Sequence, residues 1–558
     1  MKKVLVAGAA LMLAGGIAAT TAFAAAEEPG IKITGDARVR FYFMDSNARN
    51  FGNNSQSVDY ALKGPLTLQN NTTLGNGTSV TVPGVTGNPY HGGQGTTGTD
   101  TVKTPIAAGS TLPAGTKIAN GSKGTKSQTN FDSRVRVTIK GVAPGGSYAV
   151  VRMRIAESNA GDLDSDYSNG NTFRNSNIAA DMAYIGIPFN DMFTVELGRY
   201  RSTYGPLPPS YNWFYDDVNL TGARGIIKIG SNVEINPFVE FMNEAQNADN
   251  YSNVGGGTTA PTGTDKIKDN DTIRFGAHVK AKVDKDWTIG GMLGYQKDNR
   301  NEILATAVPA GFQYLGIDNG NKLGFQDHSG LFGSFYVAGK AGNFGLAGEI
   351  AFTGRHLNNF NSWELETAQV NGVDPMGSAD TGFGGFILPN FQIDKLNLAI
   401  LLGFTQNGFQ PDGAFGDGVL VGSIDNSVIS QVRIGDYGDW LFGGLIASYQ
   451  IRDDLKITGN LIYADINAWD TIGPNGDGPN TKFRSLGARG YRPDGTYGDL
   501  FELNNAWTIS ALMQYTISKG MDVYFSAGYL KASIDDKYNI GVQDDGIFAA
   551  ATRFELKF

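Results

Sequence analysis

Cysteine is absent from the 558 residues, and histidine is nearly so, at four. Zero cysteine excludes disulfide stapling, thiolate zinc, iron–sulfur clusters and covalent c-type haem. The four histidines, His91, His278, His328 and His356, show no metal-ligand spacing, so no metal centre and no cofactor are expected. Long apolar runs are missing as well. Beyond the N-terminal segment no stretch is apolar enough, over ~18 residues, to form a membrane helix. Helical i, i+3, i+4 patterning is equally hard to find. Basic charge is also short. Without Lys2 and Lys3 there are 43 basic against 54 acidic residues, a net charge of −11. That balance argues against nucleic acid as a partner, because phosphate binding needs a basic surface.

What the chain does have begins with an address. Met1-Lys2-Lys3 is a basic head, Val4 to Ala19 an apolar run, and Ala22-Phe23-Ala24 a small-x-small cleavage site. Residues 1–24 read as a secretory signal peptide, cut after Ala24 or Ala26, so the chain is expected to be exported. The remaining 25–558 read as a single domain. Glycine is abundant, at 76 residues, and aromatics make up 11% of the chain. This is an all-β composition with long polar loops.

The segment "IKITGDARVRFYF" alternates strictly. Ile31, Ile33, Gly35, Ala37, Val39, Phe41 and Phe43 share one face, and Lys32, Thr34, Asp36, Arg38, Arg40 and Tyr42 share the other. The chain ends alike, on "ATRFELKF". There Phe554, Leu556 and Phe558 occupy one parity, against Arg553, Glu555 and Lys557. Similar runs recur between, among them "TIRFGAHVKAKV", "WTIGGMLGY", "LNLAILLGF" and "WTISALMQYTI".

Connections alternate in length. Short turns occur at "VAPGGS", "PFND", "IGSN", "VDKD", "KAGN", "QIDK", "RDD" and "SKG", and the connections between them are long and rich in Gly, Asn, Asp and Thr. A soluble sandwich has no reason to lengthen every second loop, whereas a transmembrane β-barrel with tight periplasmic turns and extended outer loops does. The turns predict 16 to 18 strands, with 18 the best count. Aromatics eight residues apart on the apolar parity (Trp287 and Tyr295, Phe344 and Phe352, Trp507 and Tyr515) fit the two girdles of such a barrel. The apolar parity, Phe554, Leu556 and Phe558 included, is therefore expected to face lipid.

The terminal Phe558 on an amphipathic strand resembles the assembly signal of Gram-negative outer-membrane proteins. "FDSRVRVTIKG" (Phe131 to Gly141) looks like an early strand of the bacterial porin superfamily. "MFTVELGRYRSTYG" (Met192 to Gly205) is similar to the strand leading into the inward-folded third loop of those porins, with Met192-Phe193 in place of Phe-Gly. The resemblance implies a homotrimer in the outer membrane, inserted by the assembly machinery, passing small hydrophilic solutes. It also implies a basic ladder facing acids on an inward loop. Residues 201–221 would be that loop, and Asp216 and Asp217 its acids.

Several constellations can be weighed on their residues. Arg38, Arg40, Arg134, Arg136, Arg152 and Arg154 share the inward parity on three neighbouring strands. They read either as a pore-lining basic wall or as solvated residues paired with local acids such as Asp36, Asp132 and Asp181. Arg199 falls on the lipid parity of its strand, which suggests a bulge that re-aims it inward. Gly93 to Gly98 match G-x-G-x-x-G without a flanking strand or helix, so they read as loop. "NGDGPN" and "DNGN" read as turns rather than calcium sites. His278 and Ser334 share the inward parity, but no motif joins them, so no enzyme is expected. Residues 47–129 form a long low-complexity loop expected outside the cell, too poor in large apolar groups to fold alone. The reading is an outer-membrane porin with a mild anion preference. A barrel anchoring surface loops for adhesion, or a sheath around a separate redox partner, is the alternative.

Overall fold

The computed structural model describes residues 28–45, 56–61, 66–67, 111–112, 117–123, 128–159, 179–202, 218–243, 272–298, 329–354, 381–407, 409, 434–435, 438–468, 489–491, 497–499, 502–535 and 546–558. Eighteen strands form one antiparallel sheet. They are β1 (Gly30–Met44), β2 (Gln128–Val142), β3 (Tyr148–Asn159), β4 (Ala179–Asn190), β5 (Phe193–Ser202) and β6 (Val218–Ile229). Next come β7 (Val233–Asn243), β8 (Thr272–Lys282), β9 (Trp287–Asp298), β10 (Gly330–Ala341), β11 (Phe344–Thr353) and β12 (Gly382–Ile393). The last six are β13 (Leu396–Gln406), β14 (Gly438–Arg452), β15 (Leu455–Ala468), β16 (Glu502–Ser518), β17 (Met521–Asp535) and β18 (Ile547–Lys557). Each strand pairs with its sequence neighbours, and β18 pairs with β1, so the sheet closes on itself. The expected all-β barrel and the count of 18 strands are what the chain forms.

All eight short connections are tight turns at one rim. Gly230 and Gly342 adopt φ of 61° and 58°, a region that side chains with a Cβ rarely occupy. In "VDKD" the carboxylate of Asp284 accepts the backbone N–H groups of Asp286 and Trp287, at 2.7 and 2.8 Å, closing the turn before β9.

The strict period of two sends alternate side chains to opposite faces of the wall. Outward positions carry large apolar groups left open: Ile31 is 77% exposed, Leu441 66%, Leu293 59% and Phe335 56%. An apolar belt of this extent belongs against hydrocarbon. Aromatic pairs rim the belt. At the long-connection rim Phe41 contacts Phe131 at 4.7 Å and Trp507 contacts Tyr529 at 5.6 Å. At the short-turn rim Phe189 stacks on Phe193 at 5.3 Å. Leu556 and Phe558 are exposed on this outer face, and the terminus is tied down. Gly35 N–H donates to the Phe558 carbonyl at 2.7 Å, and Phe558 N–H returns a bond to the Gly35 carbonyl at 3.0 Å. The Phe558 ring lies over Gly35, where any Cβ would come within 2.5 Å of it.

Inward faces differ around the barrel. From β1 to β8 they carry most of the buried charged groups. From β11 to β18 they are largely apolar. Leu401, Ile462, Ala464, Ala506, Leu530 and Ala549 are fully buried, and Trp440 and Phe442 nearly so. This apolar inner wall departs from the expected polar lumen, because strands such as "LNLAILLGF" are apolar on both parities. Leu398, Ile400 and Leu402 face out there, while Ala399 and Leu401 face in.

The connection after β1 also departs from expectation. Within 47–129, Gln56–Ala61 pairs antiparallel with Lys117–Lys123, and Leu66–Thr67 pairs with Thr111–Leu112. Asn120 pairs in turn with Arg489, from a second hairpin of Arg489–Tyr491 and Tyr497–Asp499. Most of this pairing is internal to the connection, with one residue pair to the second hairpin.

Closure at the β1–β18 seam yields a first prediction. Gly35→Val should strain against the Phe558 ring and the Arg136 carbonyl and cost ~1–3 kcal/mol, the range for overpacking. Deleting Phe558 should lower membrane insertion and leave export intact. Electrophoretic heat-modifiability of membrane fractions reads both, and wild-type levels of folded barrel in the two variants would sink the seam's role.

Candidate functional site

Cross-strand register assembles the arginines. Arg38 lies opposite Arg134, and Arg136 opposite Arg154, so the six form one patch on β1, β2 and β3. Like charges directly opposite repel, and two carboxylates offset this. Arg136 Nε donates to Asp36 Oδ2 at 2.8 Å, and Arg134 Nη2 to Asp36 Oδ1 at 3.3 Å. Arg152 Nε donates to Asp181 Oδ1 at 2.8 Å, and Arg154 Nε to Asp181 Oδ2 at 2.7 Å. Each of these two acids serves two guanidiniums. Arg40, 2% exposed, lies over the Tyr42 ring at 5.5 Å, and Asp132 is its register partner across β2. Arg134, Arg136, Arg152 and Arg154 thus pair with the local acids Asp36 and Asp181.

Asp181 reaches its partners through a bulge. The β3–β4 register shifts between Arg152 and Met153, leaving Asp181 as the extra residue on β4. Strict alternation from Tyr184 and Met182 would turn its carboxylate outward. The bulge swings it in. Arg199 behaves contrary to expectation. It keeps the outward parity and is exposed, and its Nε donates to the Asp181 carbonyl at 3.0 Å. The register shift sits on the neighbouring strand, while β5 keeps its register on both sides through Gly198, whose φ is 124°. Arg199 lies three residues from the strand end at Ser202. Near the rim an outward arginine costs only ~0–1 kcal/mol, so nothing forces it inward.

The polar wall continues beyond the predicted residues. Glu196, nearly buried, accepts Arg224 Nη2 at 2.6 Å and Tyr148 Oη at 2.6 Å. Arg224 also lies over the Tyr200 ring at 4.6 Å, and Tyr200 Oη donates to buried Glu240 at 3.3 Å. Arg274 Nε donates to Gln296 at 2.6 Å and lies over Phe332 at 5.3 Å. Glu196, Glu240 and Gln296 were not singled out from sequence, although their inward parity was readable.

His278 Nε2 and Tyr336 Oη are 3.0 Å apart, and the rings stack. Ser334 sits two strands away, with Met292 between it and His278 on the same rung. Two strand spacings are ~10 Å, beyond the reach a nucleophile–base pair needs. Asp216 and Asp217, the expected constriction acids, lie outside the described residues, as does most of 201–221.

No family model matches the chain, and no curated protein matches it. Solved structures do show similarity. Acinetobacter baumannii OccAB1 is 10% identical, with 96% of this chain and 98% of that chain covered and a TM-score of 0.43. Pseudomonas aeruginosa OccK11 (OpdR) is 8% identical, with 96% and 100% covered and a TM-score of 0.43. Vibrio cholerae OmpT, expressed in the outer membrane, is 8% identical, with 96% and 99% covered and a TM-score of 0.33. Identity this low speaks to the fold alone. The architecture is a porin-like β-barrel. That statement stands on the chain's own closure, apolar belt and alternating connections.

The shared carboxylate yields a second prediction. Asp181→Ala removes the carboxylate that two inward arginines share and should lower barrel stability by ~3 kcal/mol. Asp454→Ala removes an exposed partner of Arg452 and should cost under ~1 kcal/mol. Urea titration of the detergent-solubilised barrel compares them, and equal losses would refute the Asp181 assignment.

Proposed function

We propose that the chain is an outer-membrane porin of a Gram-negative bacterium, passing small hydrophilic solutes and ions by diffusion. The observation that carries this reading is a closed barrel with an apolar exterior and a charged arc of inner wall. Water-filled passage needs no catalytic step and no cofactor. The basic patch gives the passage its sign. A low-dielectric wall focuses the field of Arg38, Arg40, Arg134, Arg136, Arg152 and Arg154 on the solute path. Because Asp36 and Asp181 each offset part of that field, the preference for anions is mild. Asp216 and Asp217, on residues 201–221, oppose it further in this reading. Signal-peptide cleavage after Ala24 or Ala26, insertion by the outer-membrane assembly machinery through the Phe558 terminus, and a homotrimer complete the proposal.

Planar-bilayer recording tests it. Large stepwise conductance is expected, and silence from a folded barrel would overturn the porin reading. In a KCl gradient the reversal potential should show weak anion preference, fading as salt screens the wall. Replacing Arg38, Arg134 and Arg152 with Gln should move it toward cations. An unchanged potential would remove these side chains from the ion path. A slow, heat-labile band on unboiled gels is the expected mark of the trimer, and a monomer band alone after gentle extraction would count against it.

A further inference from the structure

We propose that lysines on the inner wall form a collar at the short-turn mouth, which gathers anions there and makes the passage directional. The inference rests on the porin reading and adds to it. The arginine patch gives the passage its sign, and the collar gives that preference a side.

Lysine and arginine are segregated by height on the inward parity. Lys32 on β1, Lys228 on β6, Lys282 on β8, Lys340 on β10, Lys456 on β15 and Lys557 on β18 are all exposed. Each lies within two residues of its strand end at the short-turn rim. Arginines stand deeper on the same strands. Arg38 is six residues from Lys32, and Arg224 and Arg553 are four from Lys228 and Lys557. At a tilt of ~40° those steps are roughly 10–15 Å. The one arginine at collar level among the described residues, Arg452, pairs with Asp454 in its own turn at 3.0 Å.

The two cations suit their places. A guanidinium presents a planar fork to a fixed carboxylate, and Arg136, Arg152, Arg154, Arg224 and Arg553 each have one. An ammonium is a compact, strongly hydrated point charge on a flexible stem. Among the described residues Lys32, Lys228, Lys282, Lys340 and Lys456 make no ion pair, and only Lys557 has a partner, Glu555 at 3.4 Å. A paired charge acts as a dipole, whose field falls off faster than that of a lone charge. The collar therefore reaches passing ions over the full screening length, about 10 Å at 0.1 M salt.

Opposing charge at this mouth is engaged locally. Asp522 accepts Thr516 Oγ1 at 2.6 Å, Asp284 closes its turn, and Asp286 lies 3.9 Å from Lys285. Asp191, Asp394 and Asp453 sit on the turn tips beyond the wall, as do Lys395 and Lys519. Glu234 is set among the lysines, opposite Lys228 and Lys280, and offsets part of their field. Across β12 to β14 the uncharged amides Gln392, Asn397 and Gln450 hold the matching places. Long connections at the other rim, such as 244–271 and 355–380, carry more acids than bases.

A passage basic at one mouth and acidic at the other fills with ions at one polarity and empties at the other. Current should be larger when the long-connection side is positive. Anions then enter through the collar while cations enter from the opposite mouth, and both accumulate inside.

Single-channel recording tests this. The current–voltage curve should be asymmetric at about 0.1 M KCl and straighten at about 1 M, where the screening length falls to ~3 Å. Replacing Lys32, Lys228, Lys282, Lys340 and Lys456 with Gln should abolish the asymmetry. Replacing Arg38, Arg134 and Arg152 with Gln should shift the reversal potential and keep the asymmetry. The absence of cysteine supplies a second version in case the lysine variant fails to fold. Lys282→Cys with Lys340→Cys should weaken the asymmetry, a cationic thiol reagent on the short-turn side should restore it, and an anionic one should weaken it further. A straight curve at low salt in a conducting channel overturns the collar and leaves the porin reading intact. So does an asymmetry that survives the lysine variant and disappears with the arginine one. A folded barrel that never conducts overturns both.

Discussion

Backbone hydrogen bonding in a medium without water is the constraint on which the rest of the molecule depends. Every N–H and C=O of a lipid-facing strand must find its partner within the protein, so a sheet in hydrocarbon cannot keep an edge. The eighteen strands meet this by closing β18 onto β1, with the last residue of the chain bonded to Gly35. Closure also accounts for two peculiarities of composition. Disulfides are unnecessary when a continuous ladder holds every strand on both sides. Small residues are tolerated outside, because fluid lipid does not demand the interlocking of a packed core.

Closure leaves the inward parity free to vary, and the chain uses that freedom in two ways. On β1 to β8 it places guanidiniums and carboxylates in a cross-strand network. Asp36 and Asp181 each bridge two arginines, and Glu196 joins Arg224 to Tyr148. Part-buried charges are held there only because each finds a partner, and losing one partner would leave the other stranded. On β11 to β18 the inward parity is instead aliphatic and aromatic, buried rather than wet. Polar and apolar inner walls thus coexist in one closed sheet.

The bulge at Asp181 links these levels. One extra residue on β4 turns a carboxylate inward to Arg152 and Arg154, and it also presents a carbonyl to Arg199 on the opposite face. A single local irregularity thus satisfies three arginines on both sides of the wall. The shallow position of Arg199 near the rim lets it keep the outward parity at little cost.

The barrel was legible in sequence because its signals are local. A period of two, eight tight turns and aromatics eight residues apart depend only on near neighbours, and they determined the barrel and its strand number. Pairing across strands is not local. Which acid meets which arginine follows from register, and the inward turn of Asp181 follows from a register shift that no single strand announces. The strand pairs within 47–129 join segments tens of residues apart, and one of them meets Arg489 from a distant connection, pairings invisible to a search for apolar side chains. The apolar inner wall was written in "LNLAILLGF", where both parities are apolar, but alternation cannot say what covers a face that should be wet. Only the tertiary structure decided that, by burying Phe409 and Ile434 against it. Covalent neighbours fix periodicity, whereas burial is fixed by whatever the closed sheet brings together in space.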